Sequence, residues 1–357
     1  MPSDTRHNPQ RRRGPARRAL PETYDLFVRY PTETEEDVRR IVGNHPQAFR
    51  ELGWIPTRIE LLATSLVERT KELARSGHRK FGGGYRSLVH QKRGDNPYTR
   101  EVIRPALAQM EALGLYPPAV PVKMLPDYSF AIQIRFMLTR PFYSRDDAPF
   151  YLHENPLMKE RVFKVPMIRA SGWKGTLREA ARRLAEDRPE LVDRLFGAIL
   201  DDGEERGRKG RLIFYPTFFD AIDLDMINPH SRRTKAGTVP IVLEIVPPGA
   251  TGYFTLAYVP FDLAGLPDEE ARRQVAADLG LVVHMVERTM CRYGFSAKRS
   301  RGYGLAAATF PDRRQYPGGC LEMKGFAPLR FRSFSELNRR VAGLIEELVG
   351  EKVGRLA

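Results

Sequence analysis

The stretch GFSAKRSRGYG at residues 294–304 decides how the second half of the chain is interpreted. Its glycines leave backbone N–H groups open to close approach, and its cations suit contact with phosphate groups. Dinucleotide and Walker loops run from a strand into a helix, whereas this loop follows a helical pattern and precedes a predicted strand. We therefore exclude a nucleotide cofactor and favour contact with the backbone of RNA over a simple helix-to-strand turn. The residues expected to make this contact are Gly294, Lys298, Arg299, Arg301, Gly302, Tyr303 and Gly304.

A second stretch, PMIRASGWKGTLR at residues 166–178, leads into a predicted helix. Ser171 stands where an N-cap is expected, so the free N–H groups of the first turn would point outward. Lys174, Arg178 and Arg182 recur every fourth residue and predict one basic stripe along the helix. Such a stripe is ordinarily a solvated surface, but its start at a helix N-terminus favours phosphate binding. The residues expected to contact RNA here are Ser171, Lys174, Gly175, Arg178 and Arg182.

The order of the predicted elements around these two stretches indicates an α+β fold. Strands are predicted at residues 129–138, 211–218, 239–246, 253–259 and 303–310, and helices from Ser171 and over residues 268–293. The PPG sequence at residues 247–249 predicts a hairpin between the third and fourth strands. With one strand bent or doubled, the order is β-α-β-β-α-β, which is ferredoxin-like and related to the RRM, an architecture of many RNA-binding modules. A C-terminal helix capped by Ser333 and Glu336 is expected to pack on this core.

The N-terminal third of the chain predicts a different organisation. Residues 1–20 are rich in arginine and nearly free of apolar residues, so they predict a basic disordered arm. Residues 21–125 predict a helical extension, with one helix from Thr57 to Ser76 and another that begins near Pro105 and ends at Gly114. The remaining residues, 126–357, are expected to form the ferredoxin-like domain with its C-terminal helix.

The overall charge indicates the kind of partner. The chain of 357 residues has 58 Lys and Arg against 44 Asp and Glu, which gives a formal net charge of +14 and attracts polyanions such as nucleic acid. Its two cysteines exclude a disulfide framework and a cysteine-rich zinc site. No stretch approaches the roughly 20 apolar residues that a membrane span needs. We therefore expect a cytoplasmic protein that does not bind membranes.

The two stretches together resemble the RAMP superfamily of CRISPR-associated proteins. The residues that fit the family's loop-to-helix pattern are Pro166, Ile168, Ser171, Lys174, Gly175 and Arg178, and residues 294–304 fit its glycine-rich loop. The resemblance covers roughly residues 127–310 and is greatest to the backbone subunits of type III effector complexes. It implies a ferredoxin-like fold that binds guide RNA, in an antiviral ribonucleoprotein that also contains target RNA and other effector subunits.

The same resemblance implies a place for metal-dependent cleavage of target RNA. In the family, an aspartate in the loop after the first strand supports this reaction, and here Glu154 stands at the matching position. A longer carboxylate places its oxygens differently, which can abolish or alter metal-assisted attack. Asp146 and Asp147 lie nearby in the sequence and could substitute. No tightly bound cofactor is expected, and a divalent metal such as magnesium is expected only if the target RNA is cleaved; the alternative is that these acids are loop surface.

A third cluster, NPHSRRTKAG at residues 228–237, lies between predicted strands and is polar and cationic. Its expected RNA contacts are His230, Arg232, Arg233 and Lys235. Three functions remain open from the sequence: a guide-RNA-binding effector subunit, a guide-processing endoribonuclease that uses His230 or His153 as acid-base groups, and a general basic RNA-binding protein. The second predicts metal-independent cleavage of repeat RNA, and the third predicts binding without preference for repeat-derived RNA.

Overall fold

The segment FAIQIRFM forms strand β1 (Phe130–Met137), because its β-branched and aromatic side chains fit a pleated, buried surface. The computed structural model describes residues 25–42, 53–65, 70–78, 83–147, 151–198, 207–228, 240–311 and 318–350. The helices are α1 (Leu26–Arg29), α2 (Glu35–Val42), α3 (Ile55–Thr64), α4 (Lys71–Ser76), α5 (Gly84–Val89), α6 (Arg104–Ala112), α7 (Ala170–Leu184), α8 (Pro189–Phe196), α9 (Asp268–Arg288) and α10 (Phe334–Val349). The other strands are β2 (Met167–Ile168), β3 (Gly197–Ala198), β4 (Arg208–Lys209), β5 (Leu212–Phe214), β6 (Thr217–Phe218), β7 (Asp223–Ile227), β8 (Ile241–Ile245), β9 (Thr251–Tyr258), β10 (Gly319–Met323) and β11 (Leu329–Phe331).

The main sheet has five antiparallel strands in the order β11-β10-β1-β9-β5. Ile132 of β1 lies opposite Leu321 on one side and Leu256 on the other. Strand β9 is buried along nearly its whole length, so both faces of the sheet are covered at its centre. Among the described residues, three further two-stranded sheets pair β2 with β6, β3 with β4 and β7 with β8. The fold is therefore of the α+β class, as the sequence predicts.

Trp173, in the first turn of α7, packs at the centre of the core. Its indole Nε1 donates to the Thr217 Oγ1 at 2.9 Å. Its ring centroid lies 4.9 Å from that of Phe254 on β9 and 4.9 Å from that of Phe295, the second residue of the glycine-rich stretch. Buried aromatic contacts of this kind fix orientation as well as area. The start of α7 and the start of the glycine-rich stretch are thereby held by the same core.

The helical extension packs on the rest of the chain rather than standing apart. Its buried side chains belong to the same contiguous core as those of the main sheet. The Arg75 Nε donates to the Leu152 carbonyl oxygen at 2.9 Å, and the Tyr98 hydroxyl donates to the Lys164 carbonyl oxygen at 2.8 Å. Within the described ranges, no helix is long and apolar enough to cross a membrane.

Several predicted elements are confirmed. The strand predicted at residues 129–138 is β1, and the helix predicted at 268–293 is α9 followed by a π-helical turn. The strand predicted at 211–218 is divided into β5 and β6, which pair with β9 and β2 respectively. The C-terminal helix begins as expected, because the Ser333 hydroxyl accepts from the N–H of Glu336 at 3.1 Å.

The predicted hairpin across residues 247–249 is wrong. Strand β8 pairs with β7, whereas β9 pairs with β1 and β5, so the PPG turn connects strands of two different sheets. The physical reason is that the segment after β1 passes between the end of β8 and the start of β9 and takes the hydrogen bonds there. The Phe142 N–H donates to the Val246 carbonyl oxygen at 2.9 Å, and the Leu138 N–H donates to that of Ala250 at 2.9 Å.

The predicted last strand at residues 303–310 is also wrong. Gly304 has a left-handed backbone, and the segment that follows divides its hydrogen bonds between two elements. The Ala306 N–H donates to the Met290 carbonyl oxygen at 2.9 Å, and the Ala307 N–H donates to that of Met137 at 2.9 Å. A strand needs regular bonding to one neighbour. Strand β10, farther along the chain, takes the expected position beside β1.

The predicted helix from Thr57 to Ser76 is two helices, α3 and α4. Helix α3 begins two residues earlier than expected, with Trp54 at the N-cap and Pro56 in the first turn, and no side-chain capping bond is present. Proline favours the first turn because it has no N–H to leave unsatisfied there. The helix predicted near Pro105 is α6, preceded by a π-helical turn at Thr99–Ile103.

Candidate nucleic-acid interface

The glycine-rich loop comprises residues 294–304, and the place where its two ends meet is here called the neck. A glycine is needed at each end. Gly294 and Gly304 have φ values of +76° and +73°. A Cβ at Gly294 would lie 2.8 Å from the Tyr303 carbonyl oxygen, and a Cβ at Gly304 would lie 2.4 Å from the Ser296 Cβ. The two glycines therefore allow a left-handed backbone and close contact between the two chain segments that form the neck.

Hydrogen bonds attach this neck to the segment after β1. The Gly304 N–H donates to the Pro141 carbonyl oxygen at 2.7 Å. The buried Ser296 hydroxyl accepts from the Tyr143 N–H at 2.8 Å, and the Ala297 N–H donates to the Tyr143 carbonyl oxygen at 2.9 Å. Because these contacts are buried, the base of the loop is held in one position.

The tip of the loop exposes its cations. Lys298 has a left-handed φ of +65° and precedes a 3-10 turn at Arg299–Arg301. Lys298, Arg299 and Arg301 are all exposed. No carboxylate in the described ranges pairs with any of them, although the surface has many ion pairs elsewhere. Their charges are therefore available to an anion from outside the chain.

Tyr303 has a different role from the other residues of this loop. Its ring is buried, and its hydroxyl donates to the Asp225 carboxylate on β7. Burial, followed by this contact with a carboxylate, raises the pKa of the Tyr303 hydroxyl above its usual value. The side chain fixes the glycine-rich loop to the β7–β8 pair, so it does not offer an open ring for base stacking.

The structure of helix α7 differs from the prediction at its N-cap but agrees with the predicted exposure of the basic residues Lys174 and Arg182. The helix begins at Ala170 with Arg169 at the N-cap, so the predicted N-cap role of Ser171 is wrong: Ser171 lies exposed in the first turn. Lys174 and Arg182 are exposed as expected. Gly175 is exposed as well, and a Cβ there would meet no atom within 4 Å beyond the backbone of its own helix.

Arg178 turns away from the open part of the stripe. Its Nη2 donates to the Gly197 carbonyl oxygen at 3.3 Å and lies 4.0 Å from the Asp193 carboxylate. The guanidinium of Arg183 pairs with the Glu179 carboxylate at 2.7 Å, and its carbon lies 5.5 Å from the ring centroid of Tyr293. This cation–π contact brings the end of α7 to the start of the loop. The two stretches are therefore in contact through Trp173 and Phe295 in the core and through Arg183 and Tyr293.

Comparison with known proteins assigns the family. Residues 81–307 match the RAMP superfamily. This chain belongs to the RAMP superfamily. The match begins inside the helical extension, before the point at which the sequence motifs start. No curated protein sequence matches the chain.

Solved structures of CRISPR complexes contain chains similar to this RAMP protein. A chain of the type III-B Cmr-beta complex bound to cognate target RNA has a TM-score of 0.44 and 13% identity, covering 83% of this chain and 99% of that chain. A chain of the Csm3-Csm4 subcomplex in the type III-A CRISPR-Cas interference complex has a TM-score of 0.35 and 16% identity, covering 61% and 96%. A chain of a CRISPR RNA-guided surveillance complex has a TM-score of 0.35 and 13% identity, covering 52% and 71%.

The candidate catalytic acids do not form a metal site by themselves. The Glu154 side chain is 77% exposed, and its carboxylate lies 3.7 Å from the Arg75 guanidinium, a cation that would compete with a metal. Asp146 and Asp147 lie on the segment after β1, where the Asp146 N–H donates to the Pro156 carbonyl oxygen at 3.0 Å. In the part of the chain that the structure describes, no three His, Cys, Asp or Glu side chains are grouped to hold a metal ion. Among the described residues, these acids therefore do not form a preassembled group of three metal ligands.

A buried ion pair that the sequence analysis missed holds the loop with Glu154. Glu244 on β8 is fully buried and accepts from the Tyr151 hydroxyl and the Leu157 N–H, each at 2.7 Å. The Lys159 Nζ lies 2.6 Å from the same carboxylate. Loss of hydration lowers the pKa of Lys159 and raises the pKa of Glu244, whereas their contact favours the charged form of each, so the two side chains form an ion pair. The signal in the sequence is a glutamate inside the apolar run of β8.

His153, a proposed acid-base group, lies against the ring of Tyr85 with their centroids 4.9 Å apart. Burial, together with the nearby positive charges of Arg75 and Lys159, lowers its pKa to about 4. The imidazole is therefore neutral near pH 7 and is a poor general acid there. The other predicted contacts, His230, Arg232, Arg233 and Lys235, lie outside the described residues.

Proposed function

We propose that this RAMP protein binds guide RNA as a subunit of a type III CRISPR effector ribonucleoprotein in antiviral defence. The observation that carries the proposal is the glycine-rich loop: its neck is fixed by buried hydrogen bonds, while Lys298, Arg299 and Arg301 are exposed without carboxylate partners among the described residues. A fixed loop with available cations loses little conformational entropy when it binds phosphate.

The adjoining face of α7 supports the same proposal. Lys174 and Arg182 are exposed on it, and Arg183 connects it to Tyr293 beside the loop. Exposed cations on both the loop and the helix suit a single-stranded polyanion better than a single phosphate. Ser171, Gly175, Gly302, His230, Arg232, Arg233 and Lys235 complete the proposed RNA contacts.

The proposal includes a ferredoxin-like core, which the order of elements supports. The chain runs through β1, α7, β5, β9, α9 and β10, which is a strand-helix-strand-strand-helix-strand order. The four strands of this order are neighbours in the main sheet, and β11 is added at the edge. The proposed partners are guide RNA, target RNA and other effector subunits in the cytoplasm.

The experiment is the salt dependence of RNA binding by the full chain. We expect the triple change of Lys298, Arg299 and Arg301 to alanine to weaken binding of single-stranded guide RNA. The log–log salt slope should fall by about 0.7 for each phosphate that the variant no longer neutralises. Repeat-derived RNA and unrelated RNA of equal length are compared, because a general RNA-binding protein would bind both equally.

The matched control changes Lys123, Arg330 and Arg339 to alanine. These residues are exposed too, and their replacement removes the same charge from other parts of the surface. Equal salt slopes in the two triple variants would contradict the proposed role of the loop.

A contribution to metal-dependent cleavage of target RNA stays a hypothesis. The acids that would act are Glu154, Asp146 and Asp147, and groups from RNA or a neighbouring subunit would have to complete a magnesium site. The test measures target-RNA cleavage by the assembled complex with each acid changed in turn to alanine. Unchanged cleavage in all three variants would contradict the hypothesis.

A further inference from the structure

The segment after β1, residues 138–147, lies against the neck of the glycine-rich loop. The Ser296 hydroxyl accepts from the Tyr143 N–H at 2.8 Å, and the Ala297 N–H donates to the Tyr143 carbonyl oxygen at 2.9 Å. Lys298, the first exposed cation of the loop tip, directly follows Ala297 in the chain. At Tyr143 the segment is therefore in contact with the residue that precedes the cationic tip.

Arg145 on this segment lies against a second loop, residues 151–160, which carries Glu154. It stands opposite Leu157 in an isolated antiparallel bridge. The Asp146 N–H donates to the Pro156 carbonyl oxygen at 3.0 Å. Because two residues span at most about 7 Å of chain, Arg145 is close to both loops at once. Its backbone is held between them by bonds on each side.

The charge of Arg145 is open to solvent. The side chain is exposed, and within the described ranges it forms no ion pair with a carboxylate. Burial raises the pKa of the Tyr143 hydroxyl, and the nearby positive charge of Arg145 opposes that shift. The guanidinium is therefore near the side chain that supports the neck of the glycine-rich loop.

Asp146, the next residue, places its charge elsewhere. Burial raises the pKa of Tyr151 and lowers that of Lys159, and the negative charge of Asp146 adds to the first shift and opposes the second. The Asp146 carboxylate is thus near the buried side chains behind the loop of residues 151–160. It leaves the charge of Arg145 available to an anion.

The other two acids near this site limit how many phosphates it can hold. The Glu154 carboxylate lies 3.7 Å from the Arg75 guanidinium, which offsets its charge. Asp147 is exposed two residues beyond Arg145, and its carboxylate would repel a further phosphate. We therefore expect Arg145 to contact one phosphate group.

We propose that Arg145 binds a phosphate of the single-stranded RNA next to those bound by the glycine-rich loop, and directs the strand across the loop of residues 151–160. The inference rests on the proposed RNA-binding function and adds a residue that lies outside the two sequence motifs. A guanidinium can donate two parallel N–H groups to one phosphate, so a fixed arginine orients the strand as well as attracting it. A strand on this course passes the loop that carries Glu154.

The first measurement is the affinity of the full chain for single-stranded RNA at several salt concentrations. We expect Arg145→Ala to weaken binding about three- to tenfold and to lower the log–log salt slope by about 0.7, the effect of one lost phosphate contact. Arg145→Lys keeps the charge without the paired N–H groups, so it should keep the slope and recover only part of the affinity.

The matched control is Arg330→Ala, which removes the same charge from an exposed position on β11. It should change neither the affinity nor the slope. Because Arg145 and Arg330 are both exposed, each variant should keep the fold, and a thermal unfolding curve checks this.

The second measurement follows the course of the strand. RNA that carries 4-thiouridine at one position at a time is irradiated with the full chain, and the cross-linked peptides are identified by mass spectrometry. We expect neighbouring RNA positions to cross-link to peptides from residues 294–304 and from residues 151–160. In Arg145→Ala the second set should decrease while the first remains, because the glycine-rich loop keeps its own cations.

Each outcome decides between the alternatives. If the triple variant of the glycine-rich loop weakens binding while Arg145→Ala behaves like Arg330→Ala, the inference is wrong and the RNA-binding function stands. If neither the triple variant nor Arg145→Ala changes RNA binding, the proposed function itself is wrong. Wild-type cross-links that omit residues 151–160 would show that the strand takes another course. If Arg145→Ala binds RNA like the wild type but loses a neighbouring subunit from the assembled complex, Arg145 contacts protein, which also contradicts the inference.

Discussion

The glycine-rich loop and the loop of residues 151–160 both present charged side chains to solvent, but they are held from behind by different chemistry. The first is fixed by backbone hydrogen bonds and the Ser296 hydroxyl, none of which titrates near neutral pH. The second is fixed by the buried Lys159–Glu244 pair and carries the partly buried His153. The proposed RNA-binding loop should therefore depend little on pH, whereas the loop that carries Glu154 should depend on it strongly.

The largest effect is expected at the buried pair. The change Glu244→Gln leaves the Lys159 ammonium buried without a carboxylate, and we expect the free energy of unfolding to fall by about 3–5 kcal/mol. Urea unfolding at pH 7 measures it. The double change Glu244→Gln and Lys159→Met is the control, because it leaves no unpaired buried charge and should cost less than Glu244→Gln alone. A double variant less stable than the single one would show that the pair does not act as described.

The next effect is a pH dependence at His153. Its pKa is about 4 in the folded chain and near 6.5 when unfolded, so the unfolded state binds more protons between these values. Stability is therefore full above about pH 6.5 and is lost as the pH falls toward 4, by at most about 3 kcal/mol. Unfolding free energies of wild type and His153→Gln at pH 7 and pH 5 test this. The variant should lose less stability on acidification.

The matched control for that experiment is His284→Gln, which removes an exposed histidine on α9. This variant should keep the pH dependence of the wild type. If His153→Gln and His284→Gln behave alike, burial of His153 does not cause the acid sensitivity.

A smaller effect is expected at the neck of the glycine-rich loop. The change Gly304→Ala places a methyl group 2.4 Å from the Ser296 Cβ in a left-handed conformation, so we expect a loss of about 2–3 kcal/mol at any pH between about 5 and 8. Gly302→Ala is the control: its φ is +78°, but no atom lies within 4 Å of the new methyl group. It should cost about 1 kcal/mol. Equal losses in the two variants would mean that the neck relaxes around the added methyl group.

The motifs near the site could be predicted from the sequence because each is local. The spacing of glycines and cations at residues 294–304 predicts a loop with exposed charge, and the tip has that structure. The strand at residues 129–138 and the cap of the last helix at Ser333 also depend on neighbouring residues alone.

Other features could not be predicted because they depend on partners far along the chain. The carboxylate of Glu244 in an apolar strand is compensated by Lys159, which lies 85 positions earlier in the chain. The predicted strand at residues 303–310 fails because hydrogen bonds from Ala306 and Ala307 go to two different elements. Arg178 fits the basic stripe by its spacing, yet its guanidinium donates to the Gly197 carbonyl oxygen at the end of α8.

The α+β class, the basic character and the two stretches that mark the family follow from the amino-acid sequence alone, because composition and short-range spacing encode them. The strand that lies beside β1 and the set of cations that remain exposed emerge only in the folded chain. Those arrangements arise from long-range packing, in which each side chain is positioned by residues that the local pattern does not specify.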